Sequence, residues 1–233
     1  MKGKKLLERA DVIIYAGSLV NPALLEGLKA IVHNSASMTL EEIVRTMKEG
    51  IEKNLLVVRL HTGDTSFYSA ISEQIERLRA LGIAYEVVPG VSSAMAGAAA
   101  IGQELTIPEV SQTVIFTRME GRTPVPNTER LADLARHRAS MVIFLSVGMI
   151  DSVVEELLQG YPIDTPVVVV EKASWPEQKI LRGSLRNIAH RIAEAGVKKT
   201  ALIYVGESLR ASAESLGKES RLYDKDFSHG HRK

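Results

Sequence analysis

A chain of 233 residues is too long for one small domain, and it fits either one large α/β domain or two domains of about a hundred residues each. Its composition, 45% hydrophobic and 24% charged, is typical of a globular protein that buries a sizeable core. The formal net charge of +1 gives no overall field toward nucleic acid or a membrane surface, so we expect neither as a partner.

The sequence contains no cysteine, which excludes disulfides, thiolate catalysis and cysteine-ligated metal. The longest apolar run, residues 94–101, is far shorter than the roughly 20 residues of a membrane span. Residues 1–5 lead into a charged amphipathic pattern rather than the apolar core of a signal peptide. We therefore expect a cytoplasmic protein.

Apolar runs rich in valine and isoleucine alternate with helical patterns along the chain. The buried strands are predicted at residues 12–15, 55–60, 85–88, 113–117, 141–145, 166–170 and 201–205. Apolar residues recur every three or four positions in the helices predicted at residues 6–10, 40–48, 67–81, 152–158 and 184–195. This alternation predicts an α/β fold with mainly parallel sheets that are covered on both faces.

A proline-containing break at residues 106–111 predicts the boundary between an N-terminal α/β domain, residues 1–110, and a C-terminal α/β domain, residues 111–217. The polar tail, residues 218–233, is expected to be disordered. Its two histidines, His229 and His231, fit either a metal site or a solvated tail, and we predict no metal site.

Two glycine turns each follow a predicted strand. Gly63 lies in the segment Arg-Leu-His-Thr-Gly-Asp-Thr, and Gly90 lies in Val-Val-Pro-Gly-Val-Ser-Ser. Ligands of parallel α/β folds bind at the carboxyl ends of strands, and Asp64 or Thr65 is expected to cap the next helix. Each turn alone can be a simple capped turn, but together they can form one crevice. No dinucleotide fingerprint or Walker loop occurs, which argues against NAD and ATP.

These turns and four further blocks resemble the tetrapyrrole methylases over nearly the whole chain. His-Thr-Gly-Asp at residues 61–64 and Pro-Gly-Val-Ser-Ser at residues 89–93 are similar to turns shared by that family. The blocks at residues 117–126 and 173–176 resemble the branch that methylates carbon 11 of cobalt-precorrin-4, and residues 15–20 and 105–108 agree with it. The resemblance implies two α/β domains of the tetrapyrrole methylase type, each around a five-stranded sheet, with a cofactor cleft between them, in a homodimer.

The activity that the resemblance implies is methyl transfer from S-adenosylmethionine to a tetrapyrrole carbon in cobalamin biosynthesis. Alignment of an activated methyl group with its acceptor can lower a barrier by about 7–11 kcal/mol, so no catalytic triad is needed. A methylase for another precorrin carbon or for ribosomal RNA is an alternative, although the near-neutral charge disfavours RNA.

The sequence departs from the family at its start. Family members begin with a strand and a G-x-G-P-G-D loop, which this sequence does not show before its first helix pattern. Either the sequence begins downstream of that segment, or the protein is built without it. The second case leaves a further alternative, a catalytically impaired protein that only binds the cofactor or a tetrapyrrole.

The resemblance also implies the site residues. Cofactor contacts, many through backbone atoms, are expected from Thr62, Gly63, Asp64, Phe67, Ser92, Ser93, Leu145, Ser146, Ala173, Ala201 and Leu202. Asp64 can alternatively be only a helix cap.

The acetate and propionate groups of the substrate require cations, for which the fork of arginine is well suited. Each candidate cation can equally be a surface charge. Trp175 can wall the macrocycle or pack between strands, and His61 can accept a proton or serve as a structural histidine. The predicted substrate contacts are Arg118, Arg122, Lys172, Trp175 and Arg182.

Overall fold

The computed structural model describes residues 2–17, 19–212, 220 and 227–228. The chain divides into two compact units, which we name unit 1 (Met1–Ser93) and unit 2 (Ala94–Lys233). The domain bounds predicted from the sequence, residues 1–110 and 111–217, stay predictions. Apart from residues 220, 227 and 228, the predicted disordered tail with His229 and His231 lies outside the described residues.

In its described residues, unit 1 contains a three-stranded parallel sheet in the order β2-β1-β3. The central strand pairs Val12 with Ile31 on one side and with Val57 on the other. The elements are α1 (Lys2–Arg9), β1 (Val12–Tyr15), β2 (Ile31–Asn34), α2 (Leu40–Glu52), β3 (Val57–Leu60) and α3 (Ile71–Ala80), with 3-10 turns at Pro22–Leu25 and Ser35–Ser37.

Helix α2 shows how the sequence fixes the core of unit 1. Its start is a capping box, in which Thr39 Oγ1 accepts from Glu42 N–H at 3.2 Å and the Glu42 carboxylate accepts from Thr39 N–H at 2.7 Å. The apolar face of the helix then places Ile43 and Met47 against Ile14 of β1, which is fully buried.

The described part of unit 2 contains a five-stranded sheet in the order β4-β5-β8-β6-β7. Strands β4 and β5 are parallel, and the other three pairs are antiparallel. The elements, with the helix that leads into the unit, are α4 (Ser93–Ala100), β4 (Val114–Arg118), α5 (Leu131–Ala135), β5 (Ser140–Phe144), α6 (Ile150–Leu157), β6 (Pro166–Glu171), β7 (Lys179–Ser184), α7 (Ile188–Ala195) and β8 (Ala201–Val205), with 3-10 turns at Asn127–Glu129, Val147–Met149 and Glu207–Ser212.

The sheet of unit 2 has a core on each face, because side chains alternate along its strands. Met141, Val167 and Ile203 belong to one buried cluster, and Val142 and Tyr204 belong to the other. The Tyr204 hydroxyl donates to the carbonyl of Ala94 at 2.8 Å, so α4 is fixed against the second face. No helix in the described part of the chain combines the length and apolar character needed to cross a membrane.

The α/β class is confirmed, and several predicted elements are corrected. Residues 85–88 form no strand, because no neighbouring strand pairs with them in the described structure. The predicted helix 67–81 begins only at Ile71, since residues 62–70 form the turn that follows β3. The predicted helix 184–195 begins at Ile188, because residues up to Ser184 pair with β6.

The predicted sheet arrangement is also corrected. The prediction of mainly parallel sheets holds for unit 1 but is wrong for unit 2, where β6 and β7 form an antiparallel pair and β8 runs antiparallel to both of its neighbours. The implied pair of five-stranded sheets is correct for unit 2, whereas unit 1 shows three strands in its described residues.

Candidate active site

The two glycine turns of unit 1 are joined by one carboxylate. Asp64 follows Gly63 in the first turn, and its Oδ2 accepts from the backbone N–H of Gly90 in the second turn at 2.8 Å. Its Oδ1 accepts from the backbone N–H of Ser66, also at 2.8 Å. The hydrogen bonds from Ser66 and then from Gly90 lower the pKa of Asp64, so the carboxylate is ionised at neutral pH. The crevice predicted from the two turns is therefore tied together by a charged group.

Glycine is required in both turns, for different reasons. A Cβ atom on Gly90 would overlap the carbonyl oxygen of Gly63, so the two backbones approach closely only because Gly90 has no side chain. Gly63 has a φ of +65°, in the left-handed region, and a Cβ there would meet its nearest neighbour, Ser93 N, at 3.6 Å. The space around Gly63 is adequate, and its backbone conformation is the constraint.

The prediction that Asp64 or Thr65 caps the next helix is wrong. Helix α3 begins at Ile71, and the residue before it, Ala70, has a left-handed backbone with no side-chain capping bond. The carboxylate of Asp64 is used inside the turn and at Gly90 instead. This arrangement leaves Thr62 and Gly63 exposed at the carboxyl end of β3.

Phe67, Ser92 and Ser93 lie around the same turns. Phe67 is half-buried, and its N–H donates to the carbonyl of Asp64 at 3.3 Å, so it closes the first turn. Ser92 is buried, whereas Ser93 is exposed at the first position of α4. The structure thus brings six predicted cofactor residues of unit 1 to one place: Thr62, Gly63, Asp64, Phe67, Ser92 and Ser93.

His61 is a poor proton acceptor in this structure. Desolvation, followed by the charge of Arg59, lowers the pKa of the half-buried imidazole to about 4, so His61 is neutral at pH 7. Arg59 donates from Nη1 to the Ile14 carbonyl at 3.0 Å and from Nε to Gln74 Oε1 at 3.2 Å. The burial and the low pKa of His61 favour the structural alternative, and a catalytic role for it stays a prediction.

The predicted cofactor residues of unit 2 share one edge of its sheet. Arg118 of β4 pairs with Phe144 of β5 at the carboxyl ends of both strands, and Glu171 of β6 pairs with Ala201, the first residue of β8. Because β8 is antiparallel to β5 and β6, its amino end lies at the edge where these two neighbours finish. The residues at this edge are Leu145, Ser146, Ala173, Ala201 and Leu202.

Leu145 and Ser146 differ in what they offer a ligand. Leu145 has a left-handed backbone, with φ at 55°, and is 64% exposed, a strained and costly placement for an apolar side chain. Ser146 is completely buried, and its hydroxyl donates to the Phe144 carbonyl at 2.7 Å and accepts from Met119 N–H at 2.9 Å. Leu145 is thus presented at the surface, while the Ser146 hydroxyl links the ends of β4 and β5.

Arg118, predicted to bind substrate, holds the loop that follows it. Its guanidinium donates to the carbonyls of Met119 at 3.4 Å, Thr123 at 3.1 Å and Pro124 at 2.6 Å. The loop that follows β4 is therefore shaped by the arginine that ends this strand. Direct binding of a carboxylate by Arg118 stays a prediction.

The other predicted substrate residues have different surroundings. Lys172 lies near the edge of the sheet, with its ammonium 5.7 Å from the centroid of the half-buried Trp175 ring. Arg182, in the edge strand β7, donates to the carbonyl of Ile101 at 3.3 Å. Arg122 is exposed in the loop after β4. Their substrate roles stay predictions, as does the cofactor cleft between the domains.

Two candidate residues are missing from the sequence-based set. Gly90 joins the two turns by donating its N–H to Asp64, and Met119, directly after β4, donates its N–H to Ser146. The Pro-Gly dipeptide is a sequence signal that identifies Gly90, whereas no sequence signal identifies Met119. Within the described residues, no three histidine, aspartate or glutamate side chains form a group that could hold a metal ion.

The fold and the two glycine turns indicate a class of protein. Comparison with known proteins identifies this class. Residues 1–189 match the family described as tetrapyrrole (corrin/porphyrin) methylases. The chain belongs to this family.

The most informative relatives lie in one branch of it. The chain is 56% identical to the cobalt-precorrin-4 C(11)-methyltransferase of Methanocaldococcus jannaschii, over 100% of this chain and 90% of the relative. It is 48% identical to the precorrin-4 C(11)-methyltransferase of Pseudomonas aeruginosa, over 100% of this chain and 92% of the relative.

Solved structures agree with this placement. The X-ray structure of a cobalt precorrin-4 methyltransferase superimposes with a TM-score of 0.87 and 47% identity, over 90% of this chain and 89% of that one. The uroporphyrin-III C-methyltransferase of Thermus thermophilus, solved with S-adenosylhomocysteine, superimposes with a TM-score of 0.75 and 27% identity, over 90% of this chain and 91% of that one. The resemblance to tetrapyrrole methylases is confirmed.

Proposed function

We propose that this protein transfers the methyl group of S-adenosylmethionine to carbon 11 of precorrin-4, or of its cobalt complex, in cobalamin biosynthesis. The observation that carries the proposal is the pair of glycine turns joined by Asp64 and Gly90, in a chain that is 56% identical over its whole length to a C(11)-methyltransferase. The shared branch supports the choice of carbon 11 over other precorrin carbons.

The turn in unit 1 has the chemistry that S-adenosylmethionine requires. Gly63 has no side chain to block a ligand, Thr62 is exposed beside it, and Asp64 carries a negative charge that complements a cationic ligand. When bound, the cofactor supplies an activated methyl group. The chain's own task is to bind and orient, because alignment alone can remove about 7–11 kcal/mol of the barrier.

The edge of unit 2 supports the same proposal. The exposed side chain of Leu145 offers apolar contact, and the buried hydroxyl of Ser146 fixes the strand ends that carry it. Arg122 in the adjacent loop and Lys172 beside Trp175 place positive charge near this edge for substrate carboxylates. Arg118 contributes by shaping the loop.

The proposal includes a homodimer in the cytoplasm. Strand β2 presents Ile31, 61% exposed, and Val32, 40% exposed, and Leu24 nearby in the chain is 55% exposed. Such apolar exposure on one unit supports association with a second copy.

The absence of cysteine from the sequence is compatible with a reducing compartment.

The test is a methyl-transfer assay with a carbon-13-labelled methyl donor. The chain is incubated with labelled S-adenosylmethionine and either precorrin-4 or cobalt-precorrin-4, and the product is examined by NMR. A labelled methyl group at carbon 11 supports the proposal, and a methyl group at another carbon moves the protein to a different branch. Binding of S-adenosylhomocysteine without turnover would favour the impaired-binder alternative, which the three-stranded sheet of unit 1 makes worth testing.

A further inference from the structure

The turn that carries Gly63 and Asp64 has a strained far end. Residues 62–70 connect β3 to α3, and two of them, Tyr68 and Ala70, have left-handed backbones with φ of 53° and 49°. Ala70 also precedes α3 without a side-chain capping bond. A left-handed backbone is unfavourable for residues other than glycine, and it persists only where the surrounding structure holds it in place. Contacts from outside the turn therefore fix its far end.

Gln74 of α3 supplies one such contact. The residue is buried, and its side-chain Nε2 donates to the Ala70 carbonyl at 3.0 Å. Its Oε1 accepts from Nε of Arg59 at 3.2 Å. The reverse orientation of the amide would place its N–H groups against the guanidinium and its oxygen against a carbonyl, so the two partners select one orientation. Gln74 therefore connects Arg59 to Ala70.

Arg59 is a half-buried cation that neutral oxygen atoms hold. Its Nη1 donates to the carbonyl of Ile14 in β1 at 3.0 Å and to the carbonyl of Leu60 at 3.5 Å. Burial lowers the pKa of the guanidinium, and no carboxylate in the described part of the chain offsets this effect. A buried charge without an opposite charge is unfavourable, and an apolar side chain would serve stability better. The cation at this position therefore favours a role in geometry over a role in stability.

The contacts of Arg59 span the base of the turn. Arg59 lies in β3, one residue before that strand ends, whereas Gln74 and Ala70 lie at the far end of the turn. Gly63 and Asp64 lie between these two anchor points. The planar guanidinium reaches both β1 and Gln74, because its N–H groups point in different directions. Loss of Arg59 would release the far end of the turn, and the positions of Gly63 and Asp64 would change with it.

We infer that Arg59 is a positioning residue of the methyl-transfer site, which acts through Gln74 and the Ala70 carbonyl to fix the turn that carries Gly63 and Asp64. This role rests on the proposed function, in which that turn binds S-adenosylmethionine. The donor groups of Arg59 are used by protein oxygens, so it acts through other residues rather than on the ligand. Its loss should therefore raise KM for S-adenosylmethionine and leave KM for the tetrapyrrole, whose proposed contacts belong to unit 2, unchanged.

The first measurement is S-adenosylhomocysteine binding by calorimetry, on the whole chain and its variants. Arg59→Met keeps an unbranched apolar stem but removes the charge and the N–H groups, and it should weaken binding about tenfold or more. Arg59→Lys keeps the charge but lacks the planar fork, and it should restore little of the affinity. Arg77→Met, at an exposed position of α3, is the matched control and should bind as the wild type does.

A double-mutant cycle shows whether Arg59 and Gln74 act as one unit. Gln74→Met removes the amide that connects Arg59 to Ala70, and it should weaken binding by about the same factor as Arg59→Met. The double variant should bind no more weakly than either single variant, because each substitution breaks the same connection. Losses that multiply in the double variant would show two independent effects and would overturn the inferred role.

Hydrogen exchange separates positioning from a general loss of stability. The amides of Ser66 and Gly90 donate to Asp64, and in Arg59→Met they should exchange about tenfold faster than in the wild type. The amides of helix α2, in the same unit, should change much less. Equal acceleration in α2 and in the turn would show only lost stability, and it would contradict a positioning role for Arg59.

A failure of this role differs from a failure of the proposed function. If the wild-type chain does not bind S-adenosylhomocysteine, the proposed function is wrong, and the exchange rates of Ser66 and Gly90 still decide whether Arg59 fixes the turn. If Arg59→Met binds as tightly as the wild type and these two amides exchange at the wild-type rate, the turn is held without Arg59 and the inferred role is wrong.

Discussion

The two sheets in the described part of this chain differ in the number of paired strands and in how deeply those strands are buried. In unit 2, Ile143, Val169 and Ile203 of the central strands are fully buried. Among the residues that the structure describes, clusters of 18 and nine buried residues cover the two faces of this sheet. In unit 1, the corresponding cluster has five buried residues, and β3 is only half-buried. The comparison indicates that an apolar run becomes a buried strand only when both neighbours are present.

This difference in burial bears on function. The turn that contains Gly63 and Asp64 belongs to the candidate site, and it lies in unit 1, which has the smaller buried core. Gly63 and Asp64 directly follow β3, and Gly90 ends the unpaired segment. Buried apolar area contributes about 25 cal/mol per Å², so unit 1 has less to hold its turns in place. Ligand-binding segments are often found at the low-stability end of a protein.

The largest expected difference is in stability. Val169→Ala removes methyl groups from a fully buried site and should lower the free energy of unfolding of unit 2 by about 2–3 kcal/mol. Val58→Ala, the matched substitution in half-buried β3, should cost about 1 kcal/mol or less, because neighbouring space is already open. Urea unfolding followed by the fluorescence of Trp175, the single tryptophan, reports on unit 2.

Tyrosine fluorescence or hydrogen exchange then reports on unit 1. Equal costs for the two valine substitutions would contradict the comparison, since they would show that β3 is packed as tightly as β6.

The next expected effect is on cofactor affinity. Gly90→Ala forces the second turn away from the Gly63 carbonyl and should weaken S-adenosylhomocysteine binding by about tenfold or more, the equivalent of about 1.4 kcal/mol. Gly63→Val should act similarly through its left-handed backbone. Calorimetry should show one site per wild-type chain. Gly3→Ala, in open space, is the control.

If Gly63→Val lowers the melting temperature while the remaining folded protein binds normally, the turn is structural and not a ligand site.

A smaller effect is expected from the hydroxyl that links the strand ends of unit 2. Ser146→Ala leaves the Met119 amide without its partner and should cost about 1–2 kcal/mol of stability. The loop after β4 should become more mobile, which raises KM for the tetrapyrrole more than it lowers kcat. Thermal unfolding and steady-state kinetics measure the two effects. An unchanged melting temperature would show that the hydroxyl bond is dispensable.

The effect that is smallest at neutral pH comes from the titration of His61, which changes the stability only under acidic conditions. Its pKa is lowered to about 4 from an ordinary 6.5, so between these values the unfolded chain holds a proton that the folded chain lacks. Stability from this group is therefore complete above pH 6.5 and is lost as the pH falls through 4. His61→Gln should flatten the stability curve in this window. An identical curve for variant and wild type would rule out the shift.

Sequence patterns predict β4, β5, β6 and β8 of unit 2 well, because apolar runs rich in valine and isoleucine identify a buried strand without knowledge of its neighbours. They failed for β2 and β7, which are exposed and mixed in character, and for residues 85–88, whose apolar pattern depends on a partner elsewhere in the chain. Strand pairing joins segments that are far apart in the sequence. The composition of one segment therefore does not show whether that segment has a partner strand.

The candidate site shows the same limit. The Gly63 and Gly90 turns were found because Gly-Asp and Pro-Gly are local signals, but the bond between Asp64 and Gly90 joins residues 26 apart. The guanidinium of Arg118 also donates to the carbonyls of Thr123 and Pro124 in the loop that follows it. The positive charge of Arg118 in the sequence does not predict these contacts. Residue type predicted where the site lies, and the tertiary contacts decide what each side chain does.

The central claim is that the sheet of unit 2 is buried on both faces while β3 of unit 1 is only half-buried. Native-state hydrogen exchange on the chain alone tests it most directly. The amides of Val57, Arg59 and residues 84–88 should exchange by local opening, while those of β5, β6 and β8 should exchange only with global unfolding of unit 2. Protection of Val57 and Arg59 as strong as that of Ile203 would show that the edge of β3 is already paired and would contradict the account.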